Sequence, residues 1–473
     1  MMRRVLLSLV AVMIAIVMAG PAMGAQEEPL YLLFWGDMKQ VPGLVNSIGT
    51  RGHGRHMLGF GLPCPTMDAE KQVPEYIRQA FATARENNMA VMLHFDFNVA
   101  WESRPDLWNW FDPKMPGYNP ANKQNVEWYG WDGPPSKVRY LNHGITKRMA
   151  PPICFTSKRV RQEWARLVRD VITPNLRREI AALKRDGKEQ LFAGVLAGSE
   201  PMIDNYMNPD ADTEKLMKAD GTPKGRLGYR TLMNRGYSKL HPPKQMTEAL
   251  CAIVHETTGF WCQQFADAGI PIAKIYTHVA PQLPVEMTSS PVSVAFNRWS
   301  RPGWTTYPVG ILRDSFDPLY RELKVHGNPR WAGVEANAGM PDSSIDWETY
   351  LAWHYNHGGV IVGINTGATG TELPDRLEKS AFSPEAIAAY RKFLLGETLK
   401  ETPAAERPEA RLKRKMEALQ AGFKAWQSSG RDPSKIVEEV TLRLKPLLDD
   451  GKFSEAEAVI DDGLKKLDSK AGQ

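Results

Sequence analysis

The side chains best placed for chemistry are two glutamates that each follow a short apolar run. Glu200 lies in GVLAGSEP at 194–201, and Glu335 lies in WAGVEANAG at 331–339. Small and apolar residues without alternation are typical of a parallel strand that is covered on both faces. Where such strands form a barrel, their carboxyl ends surround the active site. Two carboxylates that meet there can divide general acid catalysis and nucleophilic attack between them.

Further polar side chains stand at the ends of other expected strands. Asp37 follows the first apolar run, and His94, Asp96 and Asn98 alternate along a later one. Because successive side chains of a strand point to opposite faces, these three share one side of their strand. An inward set near the mouth would suit the hydroxyl groups of a ligand, whereas a set lower in the barrel would form a buried hydrogen-bonded network.

The two glutamates need a frame of alternating strands and helices. Helical periodicity is clear at 73–87, 156–186, 246–267 and 347–357. Strand-like runs occur at 31–35, 55–61, 91–98, 191–200, 274–279, 331–335 and 360–365, with one more at either 293–299 or 305–311. These eight strands, of which the second and sixth are weak, predict an α/β fold, a (β/α)8 TIM barrel with long βα-loop insertions. Glu200 then ends the fourth strand and Glu335 the seventh.

With this order of elements the chain resembles the clan A retaining glycoside hydrolases, which are TIM barrels. The resemblance covers the architecture of residues 30–366, but in motif only the segments around Glu200 and Glu335. It implies that Glu200 is the acid/base and Glu335 the nucleophile, so that β-glycosidic bonds are cleaved with retention. A separation of about 5 to 5.5 Å between the two carboxyl groups would accompany that mechanism.

Two more residues are tied to the same resemblance. Clan A enzymes commonly place Asn before the acid/base, where its amide contacts the sugar hydroxyl next to the reacting carbon. Ser199 stands at that position here and reaches less far, so the substrate contact is expected to differ. Tyr307, if it ends the sixth strand, is expected to hydrogen-bond the nucleophile as a tyrosine does in that clan.

Aromatic side chains are abundant, with 14 tryptophans in 473 residues. Flat apolar rings with a polar tip suit the faces of pyranose rings, although burial in the core is at least as common for any single tryptophan. Two insertions, 99–155 and 204–244, lack a clear period and are expected to form a lid or binding surface. The remaining ligand-contact candidates are Trp101, Trp128, Trp131, Trp304, Asn142 and His143.

Two other functions stay open on the sequence. One is a carbohydrate-binding barrel without catalysis, in which one carboxylate is out of position. The other is a metal-dependent hydrolase barrel with ligands among His53, His56, His94 and His278. These histidines lack the His-x-His spacing of that class, and Asn365 ends the last strand. No Gly-rich phosphate loop and no GxSxG segment follows a strand, so nucleotide binding and serine-hydrolase chemistry are not expected. No cofactor is expected.

The two ends of the chain differ from the barrel. Residues 1–25 combine two arginines, an apolar run and small residues, which predicts a signal peptide and an exported protein, periplasmic or extracellular. Residues 26–382 are assigned to the barrel. Residues 383–473 turn to Ala, Glu, Lys and Leu at helical spacing, which predicts a C-terminal α-helical appendage that resembles a helical-repeat hairpin. Packing, or docking of another protein, is the role expected of it.

The overall composition excludes several classes. With 42% hydrophobic and 24% charged residues, it is ordinary for a globular protein, and no integral membrane span is expected after signal cleavage. The net charge of +5 falls to +3 without the two arginines of the leader, too small a surplus for a nucleic-acid partner. Cys251 and Cys262 fall too far apart in one helix to bridge, whereas Cys64 and Cys154 can pair or stay free.

Overall fold

Eight parallel strands close into the barrel that the sequence predicts. The computed structural model describes residues 27–67, 69–142, 146–281, 289–340, 343, 345–366, 372–403, 408–449 and 453–469. The barrel strands are β1 (Leu30–Trp35), β2 (His56–Pro63), β3 (Ala90–Phe95), β4 (Phe192–Ala197), β5 (Ile275–Tyr276), β6 (Gly303–Thr305), β7 (Trp331–Ala336) and β8 (Gly359–Ile364). Neighbours follow the order β5-β4-β3-β2-β1-β8-β7-β6. Parallel bridges from Tyr276 to Arg301 and from Val279 to Trp304 then join β5 to β6. The fold is a (β/α)8 TIM barrel.

Helices cover the outside of the barrel, since parallel strands need crossover connections. They are Val41–Ile48, Val73–Asn87, Lys158–Leu167, Thr173–Arg185, Met246–Asp267, Asp317–Val325, Trp347–Tyr355, Glu372–Ala381 and Pro384–Leu394. The helices predicted at 73–87 and 246–267 have these bounds. The helix predicted at 156–186 is also continuous, because the π-helical turn Val168–Ile172 joins its two α-helical parts.

The two insertions contain short elements and contact each other. Their elements are the helices Phe97–Glu102, Pro105–Trp108, Ala211–Asp220 and Tyr229–Met233 and the antiparallel strands Arg139–Asn142 and Thr146–Met149. The backbone N–H of Tyr140 donates to the hydroxyl of Tyr206 at 3.1 Å, and the Tyr140 hydroxyl donates to Asp220 at 2.9 Å. The first insertion is therefore held against the second by buried tyrosines.

Glycines make room for Trp35 inside the barrel. A Cβ atom on Gly61 would lie 2.4 Å from the Trp35 ring, and one on Gly363 would lie 2.7 Å from its Nε1. The indole Nε1 donates to the carbonyl oxygen of Val334 at 2.6 Å, and the ring meets that of His94 at a centroid distance of 5.8 Å. Trp35 and His94 thus share one layer of the interior.

The sixth strand differs from both segments predicted for it. Val292–Ala295 forms a 3-10 turn and the strand is Gly303–Thr305, so a strand at 293–299 is wrong and one at 305–311 begins where the strand ends. The strand has only three residues, and its register against β7 shifts between Trp304 and Thr305. So short a run carries too few residues to show a period in the sequence.

The predicted boundary at residue 383 falls inside the core of the barrel. Ser383 caps the helix Pro384–Leu394, and Tyr390, Phe393 and Leu394 are buried in the barrel's apolar cluster. A separate cluster forms among the helices Pro408–Ser428, Ser434–Asp449 and Phe453–Ser469, where the buried residues are Leu412, Leu419, Ile436, Val440, Leu444, Ala456, Val459, Ile460 and Leu467. These three helices correspond to the predicted appendage, which therefore starts later than expected.

Three smaller predictions concern the cysteines, the membrane and the leader. All four cysteines are free thiols, so Cys64 and Cys154 do not pair in this structure. In the described part of the chain, no helix has the length and apolarity needed to cross a membrane. The predicted signal peptide at 1–25 lies outside the described residues and stays a prediction.

Candidate active site

Glu200 and Glu335 come together at the carboxyl ends of the barrel strands. One carboxylate oxygen of each lies within 4.8 Å of the other. The hydroxyl of Thr305, the last residue of β6, lies 2.7 Å from Oε1 of Glu200 and 3.4 Å from Oε2 of Glu335. The two side chains are 28% and 25% exposed, whereas Thr305 is buried. A solvent-accessible carboxylate pair thus sits above a buried hydroxyl.

Several donors converge on the carboxylate of Glu335. The Tyr307 hydroxyl donates to its Oε1 at 2.8 Å, and the Asn365 amide donates to the same oxygen at 2.6 Å. His278 Nε2 lies 3.3 Å from the other oxygen, Oε2. Burial alone would raise the pKa of Glu335, but the donors from His278, Tyr307 and Asn365 outweigh it and hold the pKa at about 2. Glu335 is therefore a carboxylate anion at neutral pH.

Glu200 has the opposite electrostatic environment. Burial raises the pKa of its carboxyl group, and the negative charge of Glu335 raises it further. Among the described residues, Thr305 contributes the hydrogen bond to the Glu200 carboxyl group. Glu200 therefore has fewer donors than Glu335 to counteract the rise in its pKa. Two carboxyl groups whose environments push their pKa values apart are suited to serve as a proton donor and a nucleophile.

His278 contacts both carboxylates but was considered from the sequence only as a metal ligand. Its Nε2 lies 2.9 Å from the Thr305 hydroxyl and 3.7 Å from Glu200 Oε1. Burial would lower the pKa of His278, but the hydrogen bond to Glu335 and the charges of both glutamates raise it overall. The sequence placed His278 near the end of the fifth predicted strand, which was the signal available for a role at the mouth.

The turn that ends at Glu200 has an unusual backbone conformation and is held by hydrogen bonds. Glu200 has a φ angle of 34°, in the left-handed region that residues with a Cβ rarely adopt. Its N–H donates to the carbonyl of His278 at 2.9 Å. His94 Nε2 lies 2.9 Å from the Gly198 carbonyl, and the Asn98 amide donates to the Ser199 carbonyl. Because a carbonyl only accepts, the proton of His94 lies on Nε2.

His94, Asp96 and Asn98 therefore belong to a hydrogen-bonded network around the turn that presents Glu200. Asp96 accepts from the backbone N–H of Asn98 at 2.8 Å. Burial lowers the pKa of His94 to about 4, so its ring is neutral at pH 7. Of the two arrangements that the sequence left open for this set, the contacts of His94 and Asn98 are those of a supporting network. Ser199 lies in the turn and uses its carbonyl there.

The predicted aromatic contacts divide into two groups. Trp101 and Trp304 are 2% and 0% exposed, and their indole N–H groups donate to the carbonyls of Pro151 and Val292. Neither presents a ring face to a ligand, so these two predictions are wrong. They fail because a tryptophan beside a strand or loop end is as easily part of the core.

Trp128 and Trp131 are half-buried in the first insertion. Arg230 lies over the Trp128 ring at 5.7 Å, and the Trp131 ring packs edge-on against Tyr229 at 5.1 Å. Each tryptophan is thus braced by the second insertion, and its contact with a sugar stays a prediction.

Of the other polar candidates, Asp37 has a structural role and the side chains of the remaining two fall outside the described part of the chain. Asp37 is exposed, and its side chain caps the 3-10 turn Met38–Gln40. That capping role accounts for its place after β1. Asn142 ends a strand of the hairpin in the first insertion, while its side chain and all of His143 lie outside the described residues.

The predicted histidine metal set does not assemble. His56 is the first residue of β2, at the opposite end of the strand from the mouth, where it packs against Phe393. Glu200, His278 and Glu335 do offer three donor atoms within 4.8 Å of one another. Of the carboxylate oxygens, Glu200 Oε1 accepts from Thr305, and Glu335 Oε1 accepts from Tyr307 and Asn365.

No protein-family model matches the chain, and no curated protein matches its sequence. Among solved structures, the chain is similar to a GH5-4 broad specificity endoglucanase from an uncultured bacterium, with 9% sequence identity and a TM-score of 0.36. The similarity covers 76% of this chain and 84% of that chain. A likeness at this level carries no residue-level information, so the fold and the site rest on the strands and side chains described above.

Proposed function

We propose that the protein is a glycoside hydrolase that cleaves β-glycosidic bonds with retention, with Glu200 as acid/base and Glu335 as nucleophile. The observation that carries this proposal is the carboxylate pair, whose nearest oxygens lie within 4.8 Å and whose pKa values are displaced in opposite directions. Retaining glycosidases place their carboxyl groups about 5 to 5.5 Å apart, whereas inverting enzymes need about 6.5 to 9.5 Å to admit a water molecule. The close approach supports retention.

The reaction runs in two displacements. In the first, Glu335 attacks the anomeric carbon while Glu200 gives its proton to the glycosidic oxygen, so the bond to the leaving group breaks as an ester to Glu335 forms. In the second, the Glu200 carboxylate takes a proton from water, whose oxygen bonds to the anomeric carbon as the ester breaks. Glu200 ends protonated and Glu335 ionised, as they began.

The donors on Glu335 indicate which oxygen attacks. Oε1 accepts from both Tyr307 and Asn365 at short distances, whereas Oε2 faces His278 and Thr305 at 3.3 and 3.4 Å. The less tightly bonded oxygen keeps more of its nucleophilic electron density. Oε2 is therefore the attacking atom in this proposal, and Oε1 fixes the plane of the carboxylate.

Three further parts of the proposal concern the substrate, the location and a protein partner. The substrate is a carbohydrate, for which the half-buried rings of Trp128 and Trp131 are candidate contacts. The leader at 1–25 directs the protein to the periplasm or the outside of the cell. The helices from Pro408–Ser428 onward are a candidate docking element for another protein.

The proposal is tested by assaying the purified protein on a panel of β-linked glycans and aryl β-glycosides. We expect turnover, with the β-anomer as the first product seen by proton NMR. Glu335→Gln should lower kcat/KM about 10⁴-fold or more, because the covalent route is lost. Glu322→Gln, on the outer helix Asp317–Val325, is the matched control and should retain activity.

Three results would contradict the proposal, and each points to a different alternative. Full turnover by Glu335→Gln would show that this residue is not the nucleophile. Binding of glycans without turnover by the wild type would indicate a carbohydrate-binding barrel. Loss of activity with a chelator and recovery with a divalent ion would indicate a metal-dependent hydrolase.

A further inference from the structure

The hydroxyl of Thr305 occupies a special place between the two carboxylates. It lies 2.7 Å from Glu200, 3.4 Å from Glu335 and 2.9 Å from His278 Nε2. Thr305 is 1% exposed, so its hydroxyl is shielded from solvent. Its hydroxyl carries one proton and can donate to one carboxylate at a time, while its oxygen accepts from others.

The protonation of His278 limits where the hydroxyl proton of Thr305 can point. Nδ1 of His278 is buried and has no hydrogen-bond partner among the described residues. A neutral ring with its proton on Nδ1 would bury that donor unpaired and turn a lone pair toward two carboxylates. Nε2 therefore carries a proton whether the ring is neutral or charged. Nε2 faces the Thr305 oxygen at 2.9 Å and Glu335 Oε2 at 3.3 Å. Because a protonated Nε2 cannot accept a hydrogen bond, the threonine's own proton must point to Glu200 or to Glu335.

We propose that the Thr305 hydroxyl is a positioning group that turns from Glu335 to Glu200 and back as negative charge moves between the two carboxylates during the reaction. This inference rests on the proposed function of the same site. It adds a residue that the sequence analysis did not select. No proton crosses the threonine in this scheme, since the O–H bond only rotates.

The rotation follows from the charge at each stage. Before reaction Glu335 is ionised and Glu200 protonated, so the Thr305 O–H points to Glu335 and its oxygen can accept from Glu200. In the glycosyl-enzyme Glu335 is a neutral ester and Glu200 an anion, so the O–H points to Glu200. The contact to Glu200 at 2.7 Å serves both orientations, because the Thr305 oxygen accepts there when Glu200 is protonated and its O–H donates there when Glu200 is ionised. The hydroxyl thus stabilises whichever carboxylate is charged.

Other titratable groups around the pair are few in the described part of the chain. His94 and Asp96 approach from the end of β3, His278 from the segment after β5, and Tyr307 from the segment after β6. Of these titratable groups, His278 contacts both glutamates, as does the Thr305 hydroxyl. Because threonine itself does not titrate, its removal changes hydrogen bonding without removing a charge.

The test measures carboxyl titration directly, without using activity. Protein labelled with ¹³C at the glutamate carboxyl carbon is titrated by NMR, with the Glu200 and Glu335 signals assigned by their loss in Glu200→Gln and Glu335→Gln. Thr305→Val keeps the shape of the side chain and removes the hydroxyl. We expect the titration of Glu200 to move up by about one to two pH units, because its anion loses a charge-assisted hydrogen bond. Thr305→Ser should restore the wild-type midpoint.

A control separates this effect from the general cost of removing a buried hydroxyl. Thr258 is also buried, and its hydroxyl donates to the carbonyls of His255 and Val294, away from the glutamates. Thr258→Val should lower the melting temperature and leave both carboxyl titrations unchanged. If Glu200 titrates at the same pH in wild type and Thr305→Val, the inference is overturned, whether or not the protein hydrolyses glycosides.

Kinetics then examine the rotation itself if the wild type is active. With an activated aryl glycoside the second displacement limits kcat and needs Glu200 as a charged base. Thr305→Val should therefore lower kcat about tenfold more than kcat/KM, and azide, which needs no base, should restore kcat. An equal loss in both parameters without azide rescue would contradict the rotation. A wild type inactive on every glycan would contradict the proposed function and leave the titration result standing.

Discussion

The ends of β4 and β7 present the same residue type in two contrasting ways. Glu335 lies within its strand, where the register shifts against both neighbouring strands, and its charge is stabilised through the side chain by Tyr307, Asn365 and His278. Glu200 lies three residues beyond β4 with a φ angle of 34°, and most of the contacts that fix it are to the backbone. Side-chain donors lower a carboxyl pKa, whereas backbone support positions the group without stabilising its charge. The contrast lowers the pKa of Glu335 and raises that of Glu200.

The largest effect is expected when Glu200, the proposed acid, is replaced. Glu200→Gln keeps the turn but cannot supply a proton, so glycans with poor leaving groups should lose about 10²- to 10⁴-fold in kcat/KM. Aryl glycosides with an acidic leaving group should lose far less, because they depart without protonation. The measurement is kcat/KM against leaving-group pKa for wild type and variant.

A second carboxyl group with a raised pKa serves as the control. Glu127 is buried in the first insertion, where burial raises its pKa to about 7, and it makes no described contact with the pair. Glu127→Gln should affect good and poor leaving groups equally. If Glu200→Gln also reduced both classes equally, Glu200 would not be the acid.

Both glutamates were predicted from the sequence because each follows an uninterrupted run of apolar and small residues, and the strands β4 and β7 are six residues each. Thr305 was not selected, and His278 was considered only as a metal ligand, because β5 and β6 have two and three residues, too few to indicate which side chains meet at the mouth. Their closeness depends on closure of the barrel between these two strands, which is a long-range property. Sequence patterns reflect local burial. They therefore located the six-residue strands, but not the side-chain contacts made where β5 meets β6.

The supporting network shows a related limit. Alternation placed His94, Asp96 and Asn98 on one side of β3 and its extension, but not at a particular height in the barrel. Their partners are carbonyls of Gly198 and Ser199, more than 100 residues later in the chain. Backbone acceptors have no sequence signature, so a supporting role could be named as an alternative but not chosen.

A smaller effect is expected when one donor on the nucleophile is removed. Tyr307→Phe takes away a hydrogen bond that helps to hold the pKa of Glu335 at about 2, so that pKa should rise by about one unit. The acid limb of kcat/KM should move up with it, because the nucleophile must be ionised. Tyr276→Phe, which removes a buried hydroxyl bonded to the Ala273 carbonyl, should leave the limb unchanged.

Tyr307→Phe should also change how the stability of the protein depends on pH. A carboxyl group whose pKa is lower in the folded than in the unfolded chain stabilises the fold above its ordinary pKa of 4.5, and this stabilisation is lost as pH falls toward 2. Tyr307→Phe should therefore reduce the melting temperature at pH 7 and narrow its difference from wild type near pH 2. An acid limb that stays in place would show that Tyr307 does not tune Glu335.

The smallest effect is expected at the backbone that supports Glu200. Asn98→Ala leaves the Ser199 carbonyl without its amide donor and should cost about 1 kcal/mol in the free energy of unfolding. Asn175→Ala, which removes an amide bonded to the Val171 carbonyl on an outer helix, should cost a similar amount. Only Asn98→Ala should also lower kcat on poor leaving groups, because the freed turn presents the Glu200 proton less often in line with the glycosidic oxygen. If the two variants lose equal stability and have equal kcat, the hydrogen bond from Asn98 supports the fold but does not orient Glu200 for the reaction.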